Sequence, residues 1–487
     1  MSENHTTPAE ADEPGLAKGA MPAEFGLPTA VFVVVASMVG AGVLTTSGYT
    51  MASVGSNAWM LILWVIGGLT AICGALTLAE LSAALPQTGG DYVYLRASYG
   101  PLPAFLSGWV SFLIGFAGPS AASAFASAKY LLEPFQAELS PMLASIRIDI
   151  VILERGVATV LIGLFAAIHL VGRRQTAHVQ GWITALKLVL LVAFAAAGLV
   201  AGWPSRSHIA DWKPVTDSTG MLALLSSLVY IYYAYTGWNA ASYMAGEVRD
   251  PQRLLPRAIL LGTGGVLVIY MAVNAMYAMA LTPNDLNAII NGPANKKGFD
   301  AVAPIAELAA RQLFGDGWAR PLSVAVGLML LSSLSAYLLI GPRVIYAMAE
   351  AGQFPGVAAR LLPRAHTPGV ATVLQVAVTL VLLWIGSVQS IIMYAGVGLS
   401  IFSMLAMSSI FILRWRQPDL PRPFRTPGYP ITPALYLILT GMMTAAAFNQ
   451  HQKESGLALA SILIGVPIYY IWQMLSARKP VADRTLE

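Results

Sequence analysis

Long runs without a single ionisable side chain limit this chain more than any other feature of its sequence. Asp, Glu, Lys, Arg and His are all absent from Phe25 to Ala79, Ala97 to Ala128, Ser218 to Gly246 and Thr367 to Leu413. A helix that crosses the hydrocarbon core of a bilayer needs about 20 mostly apolar residues, so several of these runs hold two crossings. Only 11% of the 487 residues are charged and 56% are hydrophobic, a balance that a water-soluble domain of this size would hardly keep in solution. The expected fold class is an all-α membrane protein.

Spans are expected at about 27 to 50, 57 to 83, 99 to 131, 151 to 171, 181 to 202 and 219 to 245, then at about 257 to 281, 319 to 348, 370 to 386, 390 to 412, 432 to 449 and 456 to 475. Twelve transmembrane helices put both chain ends on one side of the membrane. With the N-terminus inside, the inner segments hold seventeen Lys and Arg and the outer segments ten, with Lys187 inside a span. Because cytoplasmic loops carry the basic excess, both termini are expected in the cytoplasm of a multi-pass cell-membrane protein. Residues 1–24 are polar and acidic without an apolar core, so they read as a disordered cytoplasmic tail and not as a signal peptide. A transporter core over 25–412, split near 210, two appended helices over 413–476 and a cytoplasmic tail over 477–487 complete the expected organisation. The outer loop 282–318 contains AVAPIAELAARQLF, which reads as a short helix over the outer mouth or as an ordinary loop helix.

Several function classes fall away. The formal net charge of +4 is spread over short connections, not gathered on one face, so no nucleic acid is expected as a partner. The single cysteine, Cys73, lies in an apolar run, which excludes an internal disulfide and gives no zinc spacing. His169 and His178 lack metal-ligand spacing, and no metal or cofactor is expected. There is no HExxH, no pair of intramembrane aspartates and no nucleophile beside a histidine, so an enzyme is not expected.

Two spans carry interruptions. In ASMVGAGVLTTSGY, Gly40, Ala41 and Gly42 fall at the middle of the first span, and each glycine weakens a helix by ~1 kcal/mol relative to alanine. Either the helix breaks there, or small residues let another helix approach. Broken backbone in hydrocarbon is tolerated only in a protein-lined or watery cavity. In the sixth span, VYIYYAYTGWNAASYMAGEVRDP gathers Tyr233, Tyr235, Thr236, Gly237 and Trp238 well inside the apolar run, deeper than an interfacial aromatic belt would place them. If the chain divides after the fifth helix, the two interruptions open the two halves, the pattern of a transporter site at the bilayer midplane. A half-helix N-terminus can hold a carboxylate and exposed carbonyls an ammonium, and an α-amino acid carries both.

These residues resemble the amino acid, polyamine and organocation transporter superfamily, in its amino-acid permease branch. Gly40-Ala41-Gly42-Val43-Leu44 is similar to the Gly-Ser-Gly-Ile-Phe break of that family, and PQTGGDYVYLRASYGPLPAFLSGW to its segment leading into the third helix. YAYTGWNAASYMAGEVRDPQRLLPRAI, GPRVIYAMAEAGQFP and RPFRTPGYP are similar to later family motifs, in the same order. The resemblance implies two inverted five-helix repeats, LeuT-like, with discontinuous helices 1 and 6. It further implies that amides around Ala41, Gly42 and Val43 bind the substrate carboxylate and that carbonyls of Tyr233, Ala234 and Thr236 bind its amine. Gly237 and Trp238 complete that substrate-binding set, and Tyr233 would gate it. Ala41 departs from the usual Ser or Thr, which removes any hydroxyl role at that position.

Lys187 stands within the fifth span, in GWITALKLVLLVAFAAAG. An intramembrane lysine costs roughly 2.5 to 3.5 kcal/mol on insertion scales and so marks function by default; alternatively its long side chain snorkels to the cytoplasmic surface. In similar permeases a lysine on helix 5 replaces the sodium ion of sodium-driven relatives, which implies a proton-coupling role for Lys187 with Ser332 and Ser333 as partners. Glu80, Glu247, Asp250 and Asn274 read as loop ion pairs, Glu247 and Asp250 with Arg249 and Arg253, or as interhelical hydrogen bonds. The expected activity is secondary active transport of amino acids by alternating access, coupled to protons. Neutral substrates are favoured because no acidic residue stands mid-span in helix 1 or 6. Exchange, transport of cationic amino acids or polyamines, and a non-transporting sensor are the rival readings.

Overall fold

The computed structural model describes residues 24–145, 148–212, 218–292, 298–302, 304–385 and 388–477. Residues 1–23 and 478–487 of the two expected tails, and 293–297 and 303 of the outer loop, lie outside the described residues. Helices dominate, and among the described residues no strand forms beyond one isolated bridge between Phe25 and Val248. Ten helical stretches are long and apolar enough to cross a membrane, and Gly369–Ile385 is a shorter apolar helix.

In chain order the helices are α1 Leu27–Met38, α2 Ala41–Val54, α3 Asn57–Ala84, α4 Asp91–Tyr99, α5 Pro101–Val110, α6 Ala117–Leu132, α7 Gln136–Ser145, α8 Ile150–Val171 and α9 Arg173–Gly202. They continue as α10 Ser218–Tyr235, α11 Pro251–Ala280, α12 Pro283–Asn291, α13 Ile305–Phe314, α14 Ala319–Glu350, α15 Gly369–Ile385, α16 Val388–Arg416, α17 Ile431–Gln450 and α18 Gln452–Ala477. A π-helical turn, Ser111–Phe116, joins α5 to α6 in one bent stretch, the kind of widened turn that bends a long helix.

Local chemistry explains where these helices start and stop. Gly55 ends α2 in the left-handed conformation at φ 67°, where glycine has no steric penalty. Ser56 then caps α3 by accepting from Trp59 N, and Thr282 and Asp285 form a reciprocal capping box on α12. The stretch over 305–314 in the outer loop is the helix α13, which packs against α2, α9 and α11.

The first span is two helices, not one. α1 ends at Met38, Val39 and Gly40 leave helical geometry, and α2 begins at Ala41. α10 ends at Tyr235, residues 236–239 form a turn, and Ala240–Glu247 continues as a tight 3-10 segment. α10 packs on α2, and α1 lies between α11, α9 and α14, so the two interruptions are brought together inside the bundle. Large apolar side chains such as Val160, Val189, Val268 and Ile438 point outward and exposed, the surface a bilayer would cover.

Ion pairs anchor the helix ends. Glu247 is fully buried and pairs with Arg343 of α14, which donates from Nε and Nη2. The loop pairing expected for Glu247 is therefore replaced by one across helices, because burying this carboxylate demands a full partner. Asp250 does meet Arg253, at 4.0 Å on the surface. Glu80 accepts from Arg414 at 2.7 and 2.9 Å and from Thr426 N at 2.6 Å. Asn274 donates to Tyr270 O within its own helix, not to a neighbouring one.

Candidate functional site

Both interruptions are held open by side chains from other helices. The first ends in carbonyls that α1 leaves without intrahelical partners. Tyr337 of α14 donates to Ser37 O at 2.7 Å and Tyr270 of α11 to Met38 O at 2.6 Å. Lys187 of α9 donates to Ala36 O at 3.1 Å, to Val39 O, and to Ser333 Oγ at 2.7 Å, while Ser333 Oγ donates to Val39 O at 2.8 Å. Three acceptors thus meet the three protons of one ammonium, which stands at the negative end of the α1 dipole.

Lys187 is 1% exposed, so its side chain stays inside the bundle and does not reach a surface. Ser333 is its hydroxyl partner. Ser332 turns elsewhere: its Oγ shares a hydrogen bond with Thr184 at 3.1 Å and its carbonyl accepts from Gln180 at 3.3 Å. Successive residues of a helix point about 100° apart, so one of the pair faces α1 and the other α9.

Where the first chain break falls differs from the Gly40 to Gly42 expectation, and the two glycines do separate things. Gly40 is the residue out of helix, at φ −123° and ψ −150°, and precedes α2 without any side-chain cap. Gly42 already lies in the first turn of α2. A Cβ there would stand 2.6 Å from Ala234 Cα, so Gly42 is what lets α2 touch α10. The amides of Ala41, Gly42 and Val43 form the open first turn of α2, where N–H groups have no intrahelical acceptor.

The second break lies at residues 236–239, so of the expected Tyr233 to Gly237 only Thr236 and Gly237 leave the helix. Tyr233 and Ala234 are still helical, and Thr236 donates to Tyr233 O through both its amide, at 3.1 Å, and its hydroxyl, at 2.6 Å. Ala234 O accepts from Tyr270 OH at 3.0 Å. The Tyr270 hydroxyl thus lies within reach of both interruptions, its one proton shared between Met38 O and Ala234 O. Gly237 has φ +104°, and a Cβ would meet Ser37 C at 2.7 Å, so a glycine is required both for the turn and for its contact with α1. Trp238 is buried and packs edge-on against Tyr436 of α17.

A cavity of about 50 Å³ lies beside these elements, lined among others by Ser37, Thr236, Gly237, Trp238, Tyr337 and Asp91. Asp91 is the residue that sequence reasoning missed. It opens α4, outside the spans, and is 6% exposed. Its Oδ2 accepts from Asn239 Nδ2 and Tyr243 OH, each at 3.1 Å, and its Oδ1 has no hydrogen-bond partner among the described residues. Burial pushes the carboxyl up to about 6, against the lowering effect of those two hydrogen bonds. The one signal in the sequence was an aspartate directly after a glycine pair in PQTGGDYVYLR. A wider recess of about 790 Å³ lies next to it, lined by Tyr92, Val93 and Arg96 of α4 and by Tyr346 and Glu350 of α14.

The chain is similar along most of its length to known transporters. The large neutral amino acids transporter small subunit 2 of Homo sapiens is 27% identical over 468 residues, which cover 93% of this chain and 82% of that protein. The serine/threonine exchanger SteT of Bacillus subtilis (strain 168) is 28% identical over 456 residues, covering 92% and 96%. The cystine/glutamate transporter of Homo sapiens is 26% identical over 466 residues, covering 95% and 87%. The family model described as amino acid permease matches residues 25–468, and by that match over most of its length this chain belongs to the amino acid permease family.

Proposed function

We propose that this permease carries neutral amino acids across the membrane by alternating access, binding them between the two helix interruptions and coupling their movement to protons. The observation that carries the reading is the confrontation of opposite helix ends at one place: the uncapped first turn of α2, Ala41 to Val43, beside the carbonyl-rich end of α1 and the turn after Tyr235. A carboxylate suits the amides and an ammonium the carbonyls. Gly40, Gly42, Ala234, Gly237 and Trp238 shape that place, with Tyr233 one turn above the second break. In this state Tyr233 O and Ala234 O already accept from Thr236 and Tyr270, so an incoming ammonium either shares these carbonyls through their second lone pair or displaces a hydroxyl.

Lys187 is the proton carrier in this reading, with Ser333 as its relay and Ser332 supporting the α9 contact. Loss of one proton from its ammonium would leave two N–H donors for three acceptors and remove the charge at the end of α1, which weakens the hold of Lys187 on that helix. The wider arrangement we infer is twelve spans, with the interrupted α10 stretch among them, in two inverted five-helix repeats over 25–412, two appended helices, and both termini cytoplasmic. Names of relatives that refer to large neutral amino acids and to serine and threonine favour neutral substrates.

The test is uptake of labelled amino acids and polyamines into proteoliposomes under an imposed proton gradient. Concentrative uptake of neutral amino acids without internal substrate supports symport, and Lys187→Ala is expected to lower it at least tenfold. Uptake that needs internal amino acid and ignores the gradient supports the second reading, obligate exchange, which the similarity to a serine/threonine exchanger favours. Binding without any flux would defeat both.

A further inference from the structure

Main-chain binding of substrate leaves the PQTGGDYVYLR segment without a role, yet that segment reaches the interruptions directly. Gly89 and Gly90 have φ +130° and +57°, and a Cβ on Gly90 would stand 2.7 Å from the Tyr243 ring. The glycine pair therefore delivers the start of α4 against the segment that follows α10. Asn239, which donates to Asp91 Oδ2, belongs to the turn that interrupts that span. On the opposite wall, Ser37 Oγ in the last turn of α1 likewise has no partner among the described residues and lines the same cavity.

We propose that Asp91, which lines the cavity beside the two interruptions, is a second proton-binding residue of the transport pathway, taking up a proton on Oδ1, the carboxyl oxygen left without a hydrogen-bond partner among the described residues. The proposal rests on reading those interruptions as the substrate site. A buried carboxylate with one oxygen unpaired is costly unless it is neutralised. The ionisable groups that feel its charge are phenols, Tyr243 after the second break, Tyr94 on its own helix, Tyr232 on α10 and Tyr436 on α17, and of these Tyr243 donates to it. Phenols are neutral near pH 7, and no basic side chain is among the groups that shift Asp91. A proton is what remains to remove the charge, and burial already raises the carboxyl to about 6.

The exchange is simple in its balance. Water in the cavity delivers one proton to Oδ1, the carboxylate loses its negative charge, and Oδ2 keeps the hydrogen bonds from Asn239 and Tyr243. Release restores the charge, which needs water around Oδ1, so proton release goes with widening of the cavity. Adjacent residues of α4 line the two spaces, Asp91 the cavity and Tyr92 the larger recess. Charging Asp91 tightens its hold on Asn239, and so the protonation state acts on the turn that interrupts the second helix.

Infrared difference spectra of the purified protein, titrated from about pH 5 to about pH 7.5, read this proton without any transport. A carbonyl stretch of a neutral buried carboxyl group is expected at the acid end, lost with a midpoint near 6 and absent in Asp91→Asn. A spectrum identical in Asp91→Asn and wild type overturns the proposal. Should Asp91→Asn fail to fold, Asp91→Glu is read in the same way, and an acid-end band that does not move with the longer side chain overturns it. In proteoliposomes, the rate of amino acid flux in wild type is expected to change severalfold across that pH range, and the step with a midpoint near 6 to be missing from the profile of Asp91→Asn. A variant that keeps the wild-type profile contradicts the role in transport. A titrating band in a protein that moves no amino acid would instead refute the transport reading while leaving the proton site in place.

Discussion

Hydrogen bonds from single side chains hold the two interruptions in place, and Tyr270 is the most exposed to test because one hydroxyl serves both. Tyr270→Phe leaves Ala234 O without that donor, while Met38 O keeps the Gly40 amide, and a buried acceptor left unpaired costs about 1 to 3 kcal/mol. A lowered thermal midpoint in detergent and weakened uptake are expected together; unchanged values of both would show that another donor already serves Ala234 O. Asp91 makes a second prediction with a definite sign. Its carboxyl is raised from 3.8 to about 6 on folding, so the folded state holds the proton more tightly than the unfolded chain. The stabilisation is therefore complete below about pH 4 and is lost as pH rises through about 6, for a total of about 3 kcal/mol at 1.36 kcal/mol per pKa unit. Unfolding midpoints of wild type should fall over that interval, and those of Asp91→Asn should fall less.

Whole elements are positioned by buried charge and by glycine contacts. Arg343→Ala would strand Glu247 inside the protein and break the tie between α14 and the segment after α10. Loss of one partner of a buried pair costs about 3 to 5 kcal/mol, enough to shift the thermal midpoint strongly, and joint replacement by Arg343→Met and Glu247→Gln is expected to recover much of it. A double variant no better than Arg343→Ala would show that the pair is not what holds these elements. Much at this scale was legible in the sequence: apolar runs marked the ten long apolar helical stretches, and a glycine cluster and an aromatic cluster marked the two interrupted helices. Their register was less legible. Gly42 looks like part of the break but serves the approach of α2 to Ala234, a need set by a residue far along the chain. Glu247 and Asp91 were unreadable for the same reason, since their partners stand 96 residues away in one case and 148 and 152 in the other.

Taken as a whole molecule, the permease turns large apolar side chains outward and keeps its broken backbone inside the bundle, with the buried aspartate on the small cavity beside it and the buried lysine on the end of α1. Lys187 was visible as a charge in an apolar span and Ser333 as a candidate partner, but its other two acceptors, Ala36 O and Val39 O, are main-chain carbonyls that carry no sequence signature. For substrate to meet amides and carbonyls at once, α2 must lie against α10. Gly42→Val puts a branched side chain where even a Cβ stands 2.6 Å from Ala234 Cα, which forces the two breaks apart. Equilibrium binding of a labelled neutral amino acid to the purified, monodisperse protein tests this most directly. Saturable binding by wild type and at least a tenfold weaker affinity in Gly42→Val are expected, whereas a variant that binds as tightly as wild type would contradict a substrate site between the interrupted helices.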